Sequence, residues 1–172
     1  MRLKNLREYK IMKSHQLNKQ YNQIIALIDN TRKSCGDNLE LQGHWGKYTC
    51  VLASGFLENA ISEIFTDFVN DSAAPAISSY TMKTLSKIQN PKSNKFIETA
   101  SQFKKEWGES LESFLEEDKS RKDAIDSIMT NRHLVAHGKN TNISIVKVKE
   151  YLEKSVEVID FLEKKCNTKV PK

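Results

Sequence analysis

The sequence has few residues that interrupt helices or crosslink chains. Its 172 residues include six glycines, three prolines and three cysteines. That scarcity, with 38% hydrophobic and 28% charged residues, favours a folded helical protein over a disordered one. The cysteines Cys35, Cys50 and Cys166 are widely spaced and odd in number. They offer neither a disulfide framework nor a CxxC metal pair, so we expect reduced, structural thiols.

Long hydrophobic runs are also lacking. No apolar stretch approaches the roughly 20 residues that cross a bilayer, and Met1-Arg2-Leu3-Lys4 is not followed by the apolar core of a signal peptide. We therefore expect a cytoplasmic protein with no membrane partner. The net charge of +5 is weak support for a polyanionic partner, because many basic proteins bind no nucleic acid.

Hydrophobic residues recur at helical spacing along most of the chain, and no segment alternates as a strand does. The spacing predicts helices over 5–33, 45–70, 75–89 and 144–165, one or two short helices over 92–117, and a motif helix from Ser120 to His137. Short connections favour antiparallel neighbours. The expected fold is all-α: a single-domain antiparallel helical bundle over 1–166, with short extra helices between the second helix and the motif helix. Residues 167–172 are expected to form a frayed basic tail.

The end of the motif helix carries the most informative residues, Asn131-Arg132-His133-Leu134-Val135-Ala136-His137-Gly138. At about 100° per residue, Arg132 shares a face with Ile125, Ile128, Met129 and Ala136. A charge on an apolar face must be matched by a carboxylate, kept near water, or held for an anionic ligand such as phosphate. Gly138 is expected to end the helix, because left-handed backbone costs glycine little.

Glu58 is a candidate partner for that charge. Ser54, Glu58 and Ser62 form a polar line along the second helix, beside apolar positions. We expect Glu58 to be a buried carboxylate paired with a cation, with Arg132 as the candidate. Such a carboxylate either orients Arg132 toward phosphate or neutralises it in a structural ion pair, and the sequence leaves both roles open.

The two histidines of the motif also have a rival interpretation as metal ligands. His133 and His137 stand four residues apart, which is a zinc spacing on a helix. The glutamate of the HExxH pattern is missing, and no third ligand is evident beyond remote candidates such as His44 and Glu58. We therefore expect no metal and no cofactor.

The R-x4-H spacing from Arg132 to His137, near the end of a penultimate long helix, resembles the HEPN superfamily (higher eukaryotes and prokaryotes nucleotide-binding). The order of four segments makes the chain similar to the RiboL-PSP-HEPN branch: Gly43-His44-Trp45-Gly46-Lys47-Tyr48, Gly55-Phe56-Leu57-Glu58, Gln89-Asn90-Pro91-Lys92, and Asn131 to Gly138. The resemblance implies a metal-independent endoribonuclease in which two subunits share one composite site. Arg132 and His137 would be the catalytic pair of each chain. His133 fills the polar position that follows the arginine in much of the superfamily, while Asn131 precedes it, and both are supporting residues with Glu58.

The chemistry of RNA cleavage fits these residue types. RNA carries its own nucleophile, the 2′-hydroxyl, so cleavage needs a base, an acid for the leaving 5′-oxygen and positive charge beside the phosphorane. The expected products are a 2′,3′-cyclic phosphate and a 5′-hydroxyl. Arg132 and His137 point about 140° apart on an ideal helix, so they converge only if the last turn loosens or a second chain contributes.

We therefore expect a homodimer that cleaves RNA, as a toxin or defence-type nuclease with a cognate antitoxin or a regulatory protein as a further partner. Two alternatives stay open. One is a HEPN-like dimer without turnover that binds RNA, a nucleotide or a partner protein. The other is a helical structural subunit with no role in nucleic-acid binding.

Overall fold

In the computed structural model, which describes residues 12–167, every regular element of that range is an α-helix. The helices are α1 (His15–Cys35), α2 (Leu39–Ser72), α3 (Pro75–Leu85), α4 (Ser93–Phe103), α5 (Lys105–Glu117), α6 (Lys119–Ala136) and α7 (Ile145–Asn167). The prediction of an all-α bundle with short extra helices before the motif helix is confirmed. No helix in the described range has both the length and the hydropathy to cross a membrane.

The 34-residue helix α2 forms the centre of the bundle and packs against α1, α3, α6 and α7. Its side chains Phe56, Leu57, Ala60, Ile61 and Phe65 are fully enclosed. A helix surrounded by neighbours buries apolar residues around most of its circumference, as the sequence predicted. Helix α6 packs against both α2 and α7. Its Ile128 meets Cys50 of α2, and its first turns are joined to the middle of α7 by the contact between Arg121 and Glu157.

The polar start of α1 brings the two ends of the described chain together. Ser14 caps α1 by accepting a hydrogen bond from the N–H of Leu17. The buried carboxylate of Glu163, near the end of α7, accepts hydrogen bonds from the N–H groups of Lys13 (2.8 Å) and Ser14 (3.3 Å). These bonds join the beginning of α1 to the end of α7.

Several helix boundaries differ from the predicted ones because capping side chains decide where a helix begins. The first helix starts at His15, so its predicted residues 12–14 are wrong, and residues 5–11 lie outside the described range. Helix α2 begins six residues before the predicted Trp45, because the Asn38 side chain accepts from the N–H of Leu41. The N-cap of α6 is Asp118, whose carboxylate accepts from the N–H of Ser120 at 3.0 Å, and not Ser120 itself.

The third helix ends at Leu85, four residues before the predicted end at Gln89. Two tight turns follow, in which the N–H groups of Lys87 and Ile88 bond to the carbonyls three residues before them. Asn90 then takes a positive φ of 52°, which a helix does not contain. The last helix runs from Ile145 to Asn167, close to the predicted 144–165. The predicted start of the frayed tail at residue 167 is wrong, because Asn167 belongs to this helix, and residues 168–172 lie outside the described range.

Candidate functional site at the end of α6

Helix α6 ends in a Schellman motif that fixes the chain just after His137. Gly138 has φ +63°, and its N–H bonds to the carbonyl of Val135 at 3.1 Å. The N–H of Lys139 bonds to the carbonyl of Leu134 at 2.8 Å. These two bonds define the motif, and they satisfy carbonyls that a helix end otherwise leaves unpaired. The predicted terminator, Gly138, is confirmed, and His137 is the C-cap with φ −97° and ψ 14°.

His133 and His137 form an exposed pair of rings on one side of this helix end. Both residues are exposed, and their ring centroids are 4.3 Å apart at an interplanar angle of 55°. Neither histidine takes part in an ion pair with another residue of the range 12–167. Two imidazoles in contact with solvent are therefore available to a ligand or a partner.

Arg132 lies where the apolar face of α6 meets solvent. Ile125, Ile128 and Met129 are buried, Arg132 is half-buried, and Ala136 is exposed, although the sequence placed all five on one apolar face. Within residues 12–167, the guanidinium of Arg132 has no hydrogen bond or ion pair. A half-buried cation without a carboxylate is costly unless water or an anionic ligand reaches it.

The second arginine of α6 shows what a structural arginine looks like in this fold. The Nε of Arg121 is 3.0 Å from the Glu157 carboxylate, and its Nη1 donates to the carbonyl of Phe114 at 2.7 Å. Its guanidinium also stacks over the Phe114 ring, 3.8 Å from the centroid. Arg121 thus joins α5, α6 and α7, whereas Arg132 makes no such contacts in the described chain.

Helix α2 crosses α6 directly beneath Arg132, at Cys50. The thiol of Cys50 donates to the carbonyl of Ile128 at 3.4 Å. Burial raises the pKa of Cys50 to about 12, although the backbone N–H of Arg132 acts in the opposite direction. Burial likewise raises the pKa of Cys166 to about 12. Neither group is a thiolate near neutral pH, so neither supplies a nucleophile.

The side chain of Asn131 connects α6 to the loop that follows the motif. Its side-chain amide donates to the carbonyl of Ser127 at 2.8 Å, and its Oδ1 accepts a hydrogen bond from the hydroxyl of Thr141. Thr141 in turn accepts from the N–H of Ile143 at 3.4 Å. Asn131 therefore points toward the α6–α7 loop and holds it against α6, and it does so from a position two residues before the first histidine.

A glycine of α2 lets the same loop pack closely. A Cβ at Gly46 would lie 2.3 Å from the carbonyl oxygen of Ile143 and 3.0 Å from the nitrogen of Ile145. Only a residue without a side chain allows this approach. Within the segment from Gly43 to Tyr48, Gly46 thus has a structural purpose: it receives the loop that leaves the R-x4-H motif.

Glu58 does not reach Arg132, so the predicted ion pair between them is wrong. The Oε1 of Glu58 accepts a hydrogen bond from the backbone N–H of Asn90 at 2.6 Å, and Glu58 is half-buried. On α6, Asp126 accepts from the N–H (2.7 Å) and the hydroxyl (3.0 Å) of Ser93. These two carboxylates hold the α3–α4 loop over α2 and α6. Glu58 bonds to the loop and not to Arg132 because an unpaired backbone N–H in a tight turn needs an acceptor.

Within the described residues, the structure offers no third ligand for the alternative interpretation of His133 and His137 as metal ligands. No group of three or more His, Cys, Asp or Glu side chains within residues 12–167 is arranged to hold a metal ion. His44 is exposed on α2 and lies 3.9 Å from the carboxylate of Glu40.

Sequence reasoning missed Thr141, Gly46 and Asp126 as residues that shape this region. Gly46 stands inside a motif that carried the family resemblance, so its presence in a helix was a usable signal. Thr141 and Asp126 gave no such signal, since their partners are distant in sequence or lie in a loop.

An all-helical fold with an R-x4-H motif at the end of a penultimate helix defines a protein of the HEPN class. The family model RiboL-PSP-HEPN matches residues 9–168. We found no significant match among curated proteins or among solved structures. Because the match spans nearly the whole chain, this protein belongs to the RiboL-PSP-HEPN family. HEPN domains are often ribonucleases, and they often bind RNA and dimerise.

Proposed function

We propose that this protein is a metal-independent endoribonuclease whose site is built from Arg132 and His137 of two protomers. The observation that carries the proposal is the half-buried guanidinium of Arg132, which has no partner within residues 12–167, beside the two exposed imidazoles of His133 and His137. Arginine holds two phosphate oxygens at once, and histidine exchanges protons near neutral pH.

The proposed reaction needs no group beyond these side chains and the RNA. A base takes the proton of the 2′-hydroxyl, the 2′-oxygen bonds to phosphorus, and the bond from phosphorus to the 5′-oxygen breaks. An acid returns a proton to the 5′-oxygen, which leaves a 2′,3′-cyclic phosphate and a 5′-hydroxyl. His137 of one protomer would act as the base and His137 of the other as the acid, while Arg132 stabilises the charge on the phosphorane.

The geometry of α6 supports a contribution from a second protomer. The helix continues through Ala136, so Arg132 and His137 differ by about 140° around its axis and diverge within one chain. A two-fold axis near the end of α6 would bring the Arg132 of one chain toward the His137 of the other. Asn131 would then be a positioning residue, since it anchors the loop after His137.

Helix α2 also carries an exposed apolar surface that a second protomer could cover. Three α2 residues on one face are exposed: Leu41 by 40%, Tyr48 by 52% and Val51 by 38%. Gly55 continues this face, with open space where a Cβ would point. We call these four residues the α2 stripe.

Cleavage of unstructured RNA in excess EDTA tests the activity. His137→Ala and Arg132→Ala are each expected to lower the rate by about 100-fold or more, which is typical of lost proton transfer or lost charge stabilisation. His15→Ala, an exposed histidine on α1, is the matched control and should keep full activity. The products should carry cyclic phosphate and 5′-hydroxyl ends. Loss of activity in EDTA, or full activity in His137→Ala, would contradict the proposal.

The shared site is tested separately. Val51→Glu should produce a monomer in sedimentation analysis and lose cleavage, whereas Met82→Glu, at an exposed position on α3, should change neither property. A monomer that cleaves RNA at the wild-type rate would contradict the proposal that two protomers share the site. RNA retention without cleavage would identify a binding module in its place.

A nuclease of this kind would arrest the cell that contains it. We therefore expect a toxin or defence role, with a cognate antitoxin or regulatory protein as partner. Expression of the wild-type chain should slow growth, and expression of His137→Ala should not.

A further inference from the structure

The loop between α3 and α4 borders a cleft that the proposed catalytic residues do not use. The cleft has a volume of about 500 Å³ and is lined by Thr84, Lys87, Ile88, Gln89, Asn90, Pro91, Lys95 and Gln102. Three lining residues carry amides, two carry ammonium groups, and Ile88 and Pro91 offer apolar surface. Side-chain amides bind the edges of bases, and lysines bind phosphates. This combination of groups suits a nucleotide.

Asn90 is held in this cleft at a conformational cost. Its φ of +52° is uncommon for a non-glycine residue and lies outside the extended range that residues before a proline prefer. Glu58 stabilises the turn by accepting from the N–H of Asn90. The Oδ1 of Asn90 is nonetheless buried with no hydrogen-bond partner among the described residues. Buried acceptors are rarely left without a donor, and this one belongs to a side chain at the border of the cleft.

A face of α3 leads into the cleft and carries the features of a platform for single-stranded nucleic acid. Tyr80 is 73% exposed, Lys83 and Thr84 follow it at helical spacing on the same side of α3, and Lys87 stands in the turn just after the helix ends. Thr84 and Lys87 also line the cleft. Neither Lys83 nor Lys87 is in an ion pair within residues 12–167. Exposed aromatic rings stack on bases, and lysines beside them contact the backbone.

The α3–α4 loop, which borders the cleft, meets α6 on the side that carries the two histidines. The loop ends at Ser93, which is bonded to Asp126 of α6. His133 follows Asp126 by seven residues, a rotation only about 20° short of two full turns, with a rise of about 10.5 Å. Three stacked nucleotides span about that length, at ~3.4 Å each.

We propose that Tyr80, Lys83 and Lys87 bind a single-stranded segment of the RNA beside the cleavage site, and that the α3–α4 cleft receives one of its bases. This inference rests on the proposed function, since it assigns the flanking part of the same substrate. Tyr80 stacks on a base, the two lysines contact phosphates, and the Asn90 side chain turns toward the cleft to accept a hydrogen bond from the base there.

Binding of a fluorescent, unstructured RNA to the His137→Ala protein tests this inference without cleavage. Adding Tyr80→Ala should weaken binding by about 5- to 100-fold, the effect of one lost stacking contact, and Tyr80→Phe, which keeps the ring, should restore it. Adding Lys87→Ala should lower the slope of log affinity against log salt by about 1. The matched controls are Met82→Ala, on another face of α3, and Lys33→Ala, an exposed lysine of α1, and both should bind as the parent does.

The outcomes separate this inference from the nuclease proposal. If the wild-type protein does not cleave RNA but Tyr80→Ala still weakens binding, the nuclease proposal fails and the binding surface stands. If RNA is cleaved, yet Tyr80→Ala and Lys87→Ala bind as tightly as Met82→Ala, the binding surface is overturned. Absence of RNA binding by the parent also overturns it. Thermal unfolding of each variant shows whether it is folded.

Discussion

The contact between Gly46 and the α6–α7 loop gives the sharpest test of how the motif is held in place. In Gly46→Ala, the new Cβ would lie 2.3 Å from the carbonyl oxygen of Ile143, a backbone atom that no rotamer change can move. The loop must shift by about an ångström, or α2 must move away from it. Either change disturbs the segment that begins at Gly138, directly after His137.

The size of the effect follows from two opposing contributions. Overpacking of this kind destabilises a protein by about 1–3 kcal/mol, while replacing a helical glycine with alanine stabilises it by up to about 1 kcal/mol. Gly43 provides the matched control, because it lies one turn earlier in α2 and a Cβ there would meet nothing within 4 Å. The free energy of unfolding of Gly46→Ala should therefore be about 2 kcal/mol lower than that of Gly43→Ala.

Urea denaturation of the two variants and the wild type measures this difference. For a chain of this size, about 2 kcal/mol corresponds to a melting temperature lower by roughly 4–8 °C. RNA cleavage should fall in Gly46→Ala and stay unchanged in Gly43→Ala. Equal stability of the two variants would refute the reasoning, because the close approach would then have no energetic consequence.

Three further predictions concern the hydrogen bond between Thr141 and Asn131, the Asp118 cap of α6 and the thiol of Cys50. Thr141→Val removes the hydroxyl that donates to Asn131, so kcat for RNA cleavage should fall several-fold with KM nearly unchanged, and Thr141→Ser should restore kcat. Hydrogen bonds from Ser120 lower the pKa of Asp118 to about 2 from its ordinary 3.8, so its contribution to stability is present above pH 4 and is lost as the pH falls toward 2. The melting-temperature difference between wild type and Asp118→Asn should shrink over that interval. Cys50 should react with a thiol reagent at pH 8 only after unfolding, because its thiol is buried and has a pKa of about 12.

Each of these three has a result that would count against it. A Thr141→Val protein with wild-type kcat would show that the hydrogen bond between Thr141 and Asn131 does not position the motif. A melting-temperature difference at pH 2 as large as at pH 6 would mean that the Asp118 carboxylate is not what the cap needs. Rapid labelling of native Cys50 would show that α2 and α6 separate at their crossing.

The fold was predictable from the sequence because apolar spacing dominates it. The buried residues of α2 and of the apolar face of α7 are those that the helical spacing predicted. Gly138 ends α6 because glycine adopts the positive φ that this position needs. The starts of helices were less predictable. They depend on which nearby side chain caps the helix: Asn38 starts α2 ahead of the predicted Trp45, and Asp118 takes the place of Ser120 at the start of α6.

The candidate site was predictable in composition but not in its contacts. The sequence placed Arg132 and His137 at the helix end, where they lie, but it paired Glu58 with the wrong group. Periodicity shows that a carboxylate faces inward, but it does not show which group meets it. The loop turn at Asn90 depends on backbone angles, so the true partner of Glu58 could not be read from the pattern.

The bond between Glu163 and the start of α1 has a practical consequence for engineering. Because it brings Lys13 and Glu163 to one pole, a circular permutant that joins the chain near these two residues needs only a short linker, with new termini opened in an exposed turn elsewhere. Glu163 stands 18 residues beyond Ile145, about 27 Å along α7. An affinity tag or fluorescent reporter attached at this pole would therefore sit far from the R-x4-H end and leave it open to large ligands.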